Sequence, residues 1–68
     1  MFRLTVEREK RGWSKSELAR RAKIALPDIS RLESEKIFPY PGWKRRLARV
    51  FKMPGDRLFE VIENDKLG

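Results

Sequence analysis

Glycine and proline cut this chain into pieces too short for anything larger than a bundle of small helices. The interruptions fall at Gly12, Pro27, the cluster Pro39-Tyr40-Pro41-Gly42, Pro54-Gly55 and the terminal Gly68, in a chain of 68 residues. Both residue types end regular structure, glycine by its backbone freedom and proline by its missing amide. The blocks between them are each about one helix long. They are rich in Leu, Ala, Arg, Lys and Glu, which favour helix over strand. There is no internal repeat and no low-complexity tract. The expected class is therefore all-α, with five short helices in one domain. Its core spans about residues 3–62, and a flexible tail is expected at 63–68.

A chain this small buries a modest share of its surface and is often stapled by disulfides or a metal. Here there is no cysteine and no histidine, so disulfides and the usual zinc ligand sets are excluded. No cofactor or metal is expected, and the apolar face of each helix must supply the core. The lack of a histidine or cysteine base also argues against an enzyme. The opening residues, Met1 to Glu7, hold no apolar run of the signal-peptide kind. No stretch approaches the ~18 apolar residues that span a bilayer. The expectation is a cytoplasmic protein with no membrane partner.

Each block carries its own signals. The first, Leu4 to Arg11, is ambiguous: Phe2, Leu4 and Val6 alternate as in a strand, while Arg8 to Arg11 favour helix. It reads as a helix ending at Arg11, with Gly12 as a left-handed terminator. The second has the clearest start. Ser14-Lys15-Ser16-Glu17 is a capping box, in which the Ser14 hydroxyl accepts from the Glu17 amide and Glu17 reaches back. Trp13 is placed to staple onto Leu18, and Leu18, Ala19 and Ala22 form a narrow apolar stripe. The third block, Leu26 to Ser34, has Pro27 in its first turn and buries Ile29 and Leu32. Asp28, Ser30, Arg31 and Ser34 must then point outward or sideways. The fourth contains Trp43, Leu47, Val50 and Phe51 on one face. The fifth, Gly55 to Ile62, carries Leu58, Phe59 and Ile62.

Charge points to a partner. Seventeen Lys and Arg against ten Asp and Glu give a net charge of +7. Such a field attracts polyanions, nucleic acid first and anionic membrane next. Lys44, Arg45, Arg46, Arg49 and Lys52 form a basic run without an acid, whereas Asp56, Glu60, Glu63 and Asp65 crowd the end. A membrane-surface role would need the apolar face of residues 43–52, which so small a core cannot spare.

The run Arg8-x-x-x-Gly12-Trp13-Ser14-x-x-Glu17-Leu18-Ala19, then Ile24, Ile29-Ser30-Arg31-Leu32-Glu33, Leu47-Ala48 and Asp56-x-Leu58-Phe59, resembles the Cro/cI-type (Xre-like) helix-turn-helix family. The resemblance covers nearly all of residues 3–61. It implies a compact five-helix lambda-repressor-like domain, with Lys15 to Ala22 as the positioning helix and Leu26 to Ser34 as the recognition helix. It also implies double-stranded DNA as partner, and Arg8 paired with Glu33.

The site residues follow from that assignment. Leu26, Pro27, Asp28, Ser30 and Arg31 are the candidates for base contact. Arg31 is the best of them, since a guanidinium grips guanine O6 and N7 together, worth ~1–3 kcal/mol of discrimination. Its alternatives are a phosphate contact or a solvated side chain. Leu26 would touch a thymine methyl or pack on the domain, and Asp28 would accept from cytosine or cap its helix. Ser14, Lys15, Ser34, Lys36, Lys44 and Arg45 are the candidates for phosphate contact. Arg46 and Arg49 read as solvated, and Trp13 and Trp43 as core.

Departures from the family are local. Lys23 and Glu35 stand where glycine is common, and Ala25 replaces the usual Ser or Thr cap, worth ~1 kcal/mol. The expected function is a transcriptional regulator, a repressor in its simplest form, binding as a homodimer to a pseudo-palindrome. The alternative is an antitoxin or other protein-interaction module of the same fold, with a toxin or regulator as partner. An RNA-binding module would need an exposed aromatic platform that the sequence does not announce. Leu58, Phe59, Ile62 and Leu67 could form a dimer patch, although Leu58 and Phe59 read as core.

Overall fold

The computed structural model describes residues 1–62. Five helices follow one another: α1 (Arg3–Lys10), α2 (Lys15–Ala22), α3 (Leu26–Glu33), α4 (Pro41–Phe51) and α5 (Gly55–Leu58). The class is all-α, as the punctuation implied. The tail at 63–68, with Glu63, Asp65 and Leu67, lies outside the described residues.

The core assembles from the apolar stripes. Leu4, Leu18, Ile29, Leu32, Leu47 and Leu58 are fully shielded from solvent, and Phe51 lies among them. Every helix thus contributes at least one residue to a single cluster. Trp13 and Trp43 are half-buried against it. The Trp13 ring sits 5.3 Å from that of Phe51 on α4.

Helix starts are weakly capped except at α2, where Ser14 Oγ accepts from the Glu17 amide at 3.0 Å. The other half of the expected capping box is missing. The Glu17 carboxylate turns to Arg20 and Arg21 instead, the latter at 2.7 Å. Two cations one turn along outbid a single exposed amide. Ala25 offers α3 no side-chain cap, and Pro27 stands in its first turn.

Helix ends are built alike. At the ends of α1, α2, α3 and α4 one residue turns left-handed, and the next amide bonds to the carbonyl five residues earlier. Those bonds are Trp13 to Arg8 (3.1 Å), Ile24 to Ala19 (3.1 Å), Lys36 to Arg31 (2.9 Å) and Met53 to Ala48 (3.1 Å). This arrangement satisfies carbonyls the helix leaves free and turns the following residue inward. Trp13, Ile24 and Met53 accordingly join the core. Only α1 uses glycine, Gly12 at φ 72°; the others use Lys23 (57°), Glu35 (62°) and Lys52 (57°). Side chains in that conformation carry strain that glycine avoids.

The fifth helix is shorter than the apolar spacing suggested, ending at Leu58 and not Ile62. The chain after it is taken by the N-terminus. The Arg3 amide donates to the Glu60 carbonyl (2.9 Å), the Ile62 amide to the Met1 carbonyl (2.6 Å), and Phe2 bridges Val61 in antiparallel fashion. Backbone groups spent on that pairing cannot continue a helix. Phe2, 6 % exposed, packs its ring edge-on to Phe59 at 5.2 Å. The alternation at Phe2 and Leu4 therefore marks a single bridge followed by a helix.

Candidate nucleic-acid interface

The inward side of α3 is locked. Ile29 and Leu32 are fully buried, and Glu33 is held by Arg8 of α1. Arg8 Nε donates to Glu33 Oε2 at 2.7 Å and Nη2 to Oε1 at 3.0 Å. Its Nη1 donates to the Trp13 carbonyl at 2.7 Å. The hydrogen-bonded carboxylate raises the pKa of Arg8 beyond its ordinary high value. A bidentate pair of this kind fixes orientation as well as distance.

The outward side of α3 is open within the described residues. Leu26, Pro27, Arg31 and Ser34 are exposed, and Asp28 and Ser30 are half-buried at its flank. Helical periodicity explains most of the split: residues 29, 32 and 33 share one face and 27, 31 and 34 the opposite one, while Leu26 lies in register with the buried face and is 42 % exposed as the first residue of the helix. Arg31 does not wave freely. Its Nη1 donates to Asp28 Oδ1 at 2.8 Å, one turn back. Asp28 therefore acts on Arg31, and its place in the first turn also suits the positive end of α3.

The phosphate candidates separate into two groups. Lys15 and Ser34 line one cleft of about 270 Å³, together with Thr5, Arg8, Glu9 and Glu33. Lys15 is exposed at the first turn of α2, where the helix N-terminus favours an anion. Lys36 is exposed two residues past Ser34. The Ser34 hydroxyl, however, donates to the Ser30 carbonyl at 2.9 Å, within its own helix end. Ser14 spends its oxygen on the Glu17 amide. Lys44 lies elsewhere: its Nζ meets Asp56 Oδ1 at 2.6 Å across α4 and α5, while Arg45 is exposed beside it. Hydrogen-bonded Lys44 holds the Asp56 carboxyl below the ordinary carboxylate range. The Arg20 hydrogen bond, aided by Arg21, does the same for Glu17.

Two features escaped the sequence. Arg46 is not merely solvated; its Nη1 donates to the Lys23 carbonyl at 3.0 Å and so caps the end of α2. Phe38 and Tyr40, in the loop between α3 and α4, are 86 % and 64 % exposed. Tyr40 rests edge-on against Trp43 at 4.6 Å. The Pro-rich spacing marked a loop, and nothing in it said that an aromatic ring would stand clear. Of the apolar residues considered for a dimer patch, Leu58 is buried and Phe59 is packed on Phe2.

No helix among the described residues is long and apolar enough to cross a membrane. A family model described as a helix-turn-helix domain matches residues 2–60. No curated protein and no solved structure matches the chain. A matched span of that length, with α2 and α3 joined by a three-residue turn and α3 open outward, places the chain. It belongs to the helix-turn-helix domain family, and its chemistry is that of a DNA-binding domain.

Proposed function

We propose that the chain is a sequence-specific binder of double-stranded DNA and a transcriptional regulator of the Cro/cI (Xre-like) kind, acting as a repressor. One observation carries this reading: α3 is locked on its inward side by Arg8 and Glu33 and open on the opposite side at Pro27, Arg31 and Ser34, with Leu26 exposed at its start. A rigid rod with one solvent-facing side is what the major groove admits. Arg31, aimed by Asp28, reads a guanine. Lys15 and Lys36 hold phosphates on either side, and two copies of the chain bind a pseudo-palindrome.

Selection of bound sequences from random duplexes tests it, with two variants alongside. Arg31→Ala relaxes preference at one base pair per half-site, a loss of ~1–3 kcal/mol of discrimination. Lys15→Ala weakens every duplex alike. Equal and uniform losses from both would remove Arg31 from base reading.

A protein-interaction role, such as that of an antitoxin, is favoured by the exposed Phe38 and Tyr40. Salt separates the two readings. Phosphate contacts give a steep negative slope of affinity on salt, and an aromatic protein interface gives a shallow one.

A further inference from the structure

Arg21 and Lys23, at the end of α2, and Arg46 and Arg49, on α4, line one groove of about 550 Å³ floored by Ala22 and Val50. No residue of α3 and no carboxylate lines it. Arg21 is shared with Glu17 at 2.7 Å. Lys23, Arg46 and Arg49 have no carboxylate within salt-bridge distance among the described residues, and all four cations are solvent-exposed. Two of its four cations are held in place. Arg46 is tied to the Lys23 carbonyl, and the Arg21 guanidinium lies 4.4 Å from the centre of the Trp13 ring. Lys15 begins α2 and Lys23 follows its last residue, so the groove and the α3 cleft lie at opposite ends of that helix. Eight residues at 1.5 Å put about 12 Å between them.

From this we infer that the groove is a second phosphate-binding site, which takes the sugar–phosphate ridge of a second DNA duplex. Three guanidinium forks and an ammonium suit phosphate oxygens. An acidic protein partner is the weaker candidate, because stable protein interfaces bury ~800 Å² on each side around an apolar, often aromatic centre. This groove offers only an alanine and a half-buried valine. Interfaces with nucleic acid are polar and strongly basic, as this one is. The groove shares no residue with α3 or with the cleft at Lys15, so a duplex seated on α3 leaves its cations free for a second one. This assignment stands whether or not Arg31 reads bases.

Stoichiometry tests it. Short duplexes of about one helical turn are titrated into the full chain at low salt, and complexes are weighed by native mass spectrometry. Two duplexes per protomer are expected, whatever the number of protomers. Trp13 reports the second event, since occupation of the groove must disturb Arg21 above its ring; a Trp43→Phe background leaves that signal alone. Arg46→Ala combined with Arg49→Ala should abolish the second phase and leave the first within twofold. Where loss of the Lys23 contact unfolds that variant, Arg49→Glu alone should weaken the second phase at least tenfold. One duplex per protomer at saturation overturns the proposal. So does a variant that weakens the first phase equally, which would put the groove on the same duplex. Displacement of the second duplex by polyglutamate at equal charge concentration would also overturn it, in favour of a carboxylate partner. Failure of the Arg31→Ala selection with two duplexes still bound would sink the base-reading role alone.

Discussion

Arg8 holds both carboxylate oxygens of Glu33, at 2.7 and 3.0 Å, and thereby ties α1 to the last turn of α3. The same guanidinium reaches the Trp13 carbonyl, so the turn before α2 is fixed by the same side chain. One residue thus holds together α1, the last turn of α3 and the turn that leads into α2. The Arg8 and Glu33 side chains are only 10 % and 4 % exposed, so water cannot replace either partner.

Breaking this pair should therefore cost more than the pair itself contributes. Glu33→Ala leaves a buried guanidinium with only Glu9, at 3.8 Å, and the Trp13 carbonyl as partners, and should lose about 3 kcal/mol of stability. Replacing both residues by methionine should recover most of that, since no buried charge remains. Urea unfolding of the two variants checks it. A double variant no more stable than Glu33→Ala would show that the Trp13 carbonyl bond, not the ion pair, matters most.

Acid should weaken the fold through Glu7. This carboxylate is 7 % exposed and takes a 2.7 Å hydrogen bond from Arg11, with Lys10 and Arg3 nearby. The Arg11 hydrogen bond, aided by the charges of Lys10 and Arg11, holds its pKa below the ordinary value despite burial. A carboxyl lowered on folding binds protons more tightly in the unfolded chain. Its stabilisation is thus full above the ordinary carboxylate range and fades as pH falls through the lowered value. Melting temperature should drop below about pH 5, and Glu7→Gln should flatten that drop. An unchanged slope in Glu7→Gln would assign the acid sensitivity to other carboxylates.

Lys52 is left-handed at φ 57°, exposed and without a salt bridge among the described residues. Lys52→Gly should relieve a strain of ~1–2 kcal/mol, less glycine's entropy in the unfolded chain, for a gain of about 0.5–1 kcal/mol. A β-branched Lys52→Val should destabilise by more. Thermal unfolding reads both, and a loss in the glycine variant would show that the left-handed turn is not strained.

Asp28 places a negative charge beside the surface offered to DNA and restrains Arg31 at 2.8 Å. Asp28→Ala should raise affinity for random duplex by about three- to tenfold and steepen its salt dependence. Sequence discrimination should fall at the same time, because Arg31 is no longer aimed. Parallel gains for all sequences with discrimination unchanged would mean that the pair does not position Arg31.

Phe38→Ser should leave folding stability within ~0.5 kcal/mol, since an 86 % exposed ring contributes little to the core. Chemical denaturation measures this. A larger loss would mean the loop packs in solution.

The amino-acid order alone determined whatever depends on neighbours a few residues apart. Gly12, Pro27 and Pro41 bound the helices, Ser14 starts α2, and the spacing of Leu18, Ala19, Ala22, Ile29 and Leu32 assigns the buried sides. These are legible because capping bonds and helical periodicity act within one or two turns. Tertiary structure decided the rest. Only packing brings Met1 and Ile62 together to stop α5, lays Lys44 on Asp56, and sets Arg46 against the Lys23 carbonyl. A lysine or arginine on an exposed face has several acidic or carbonyl partners within reach. Which one it meets depends on how whole helices dock, and helix docking is settled by the core and not by the charge itself.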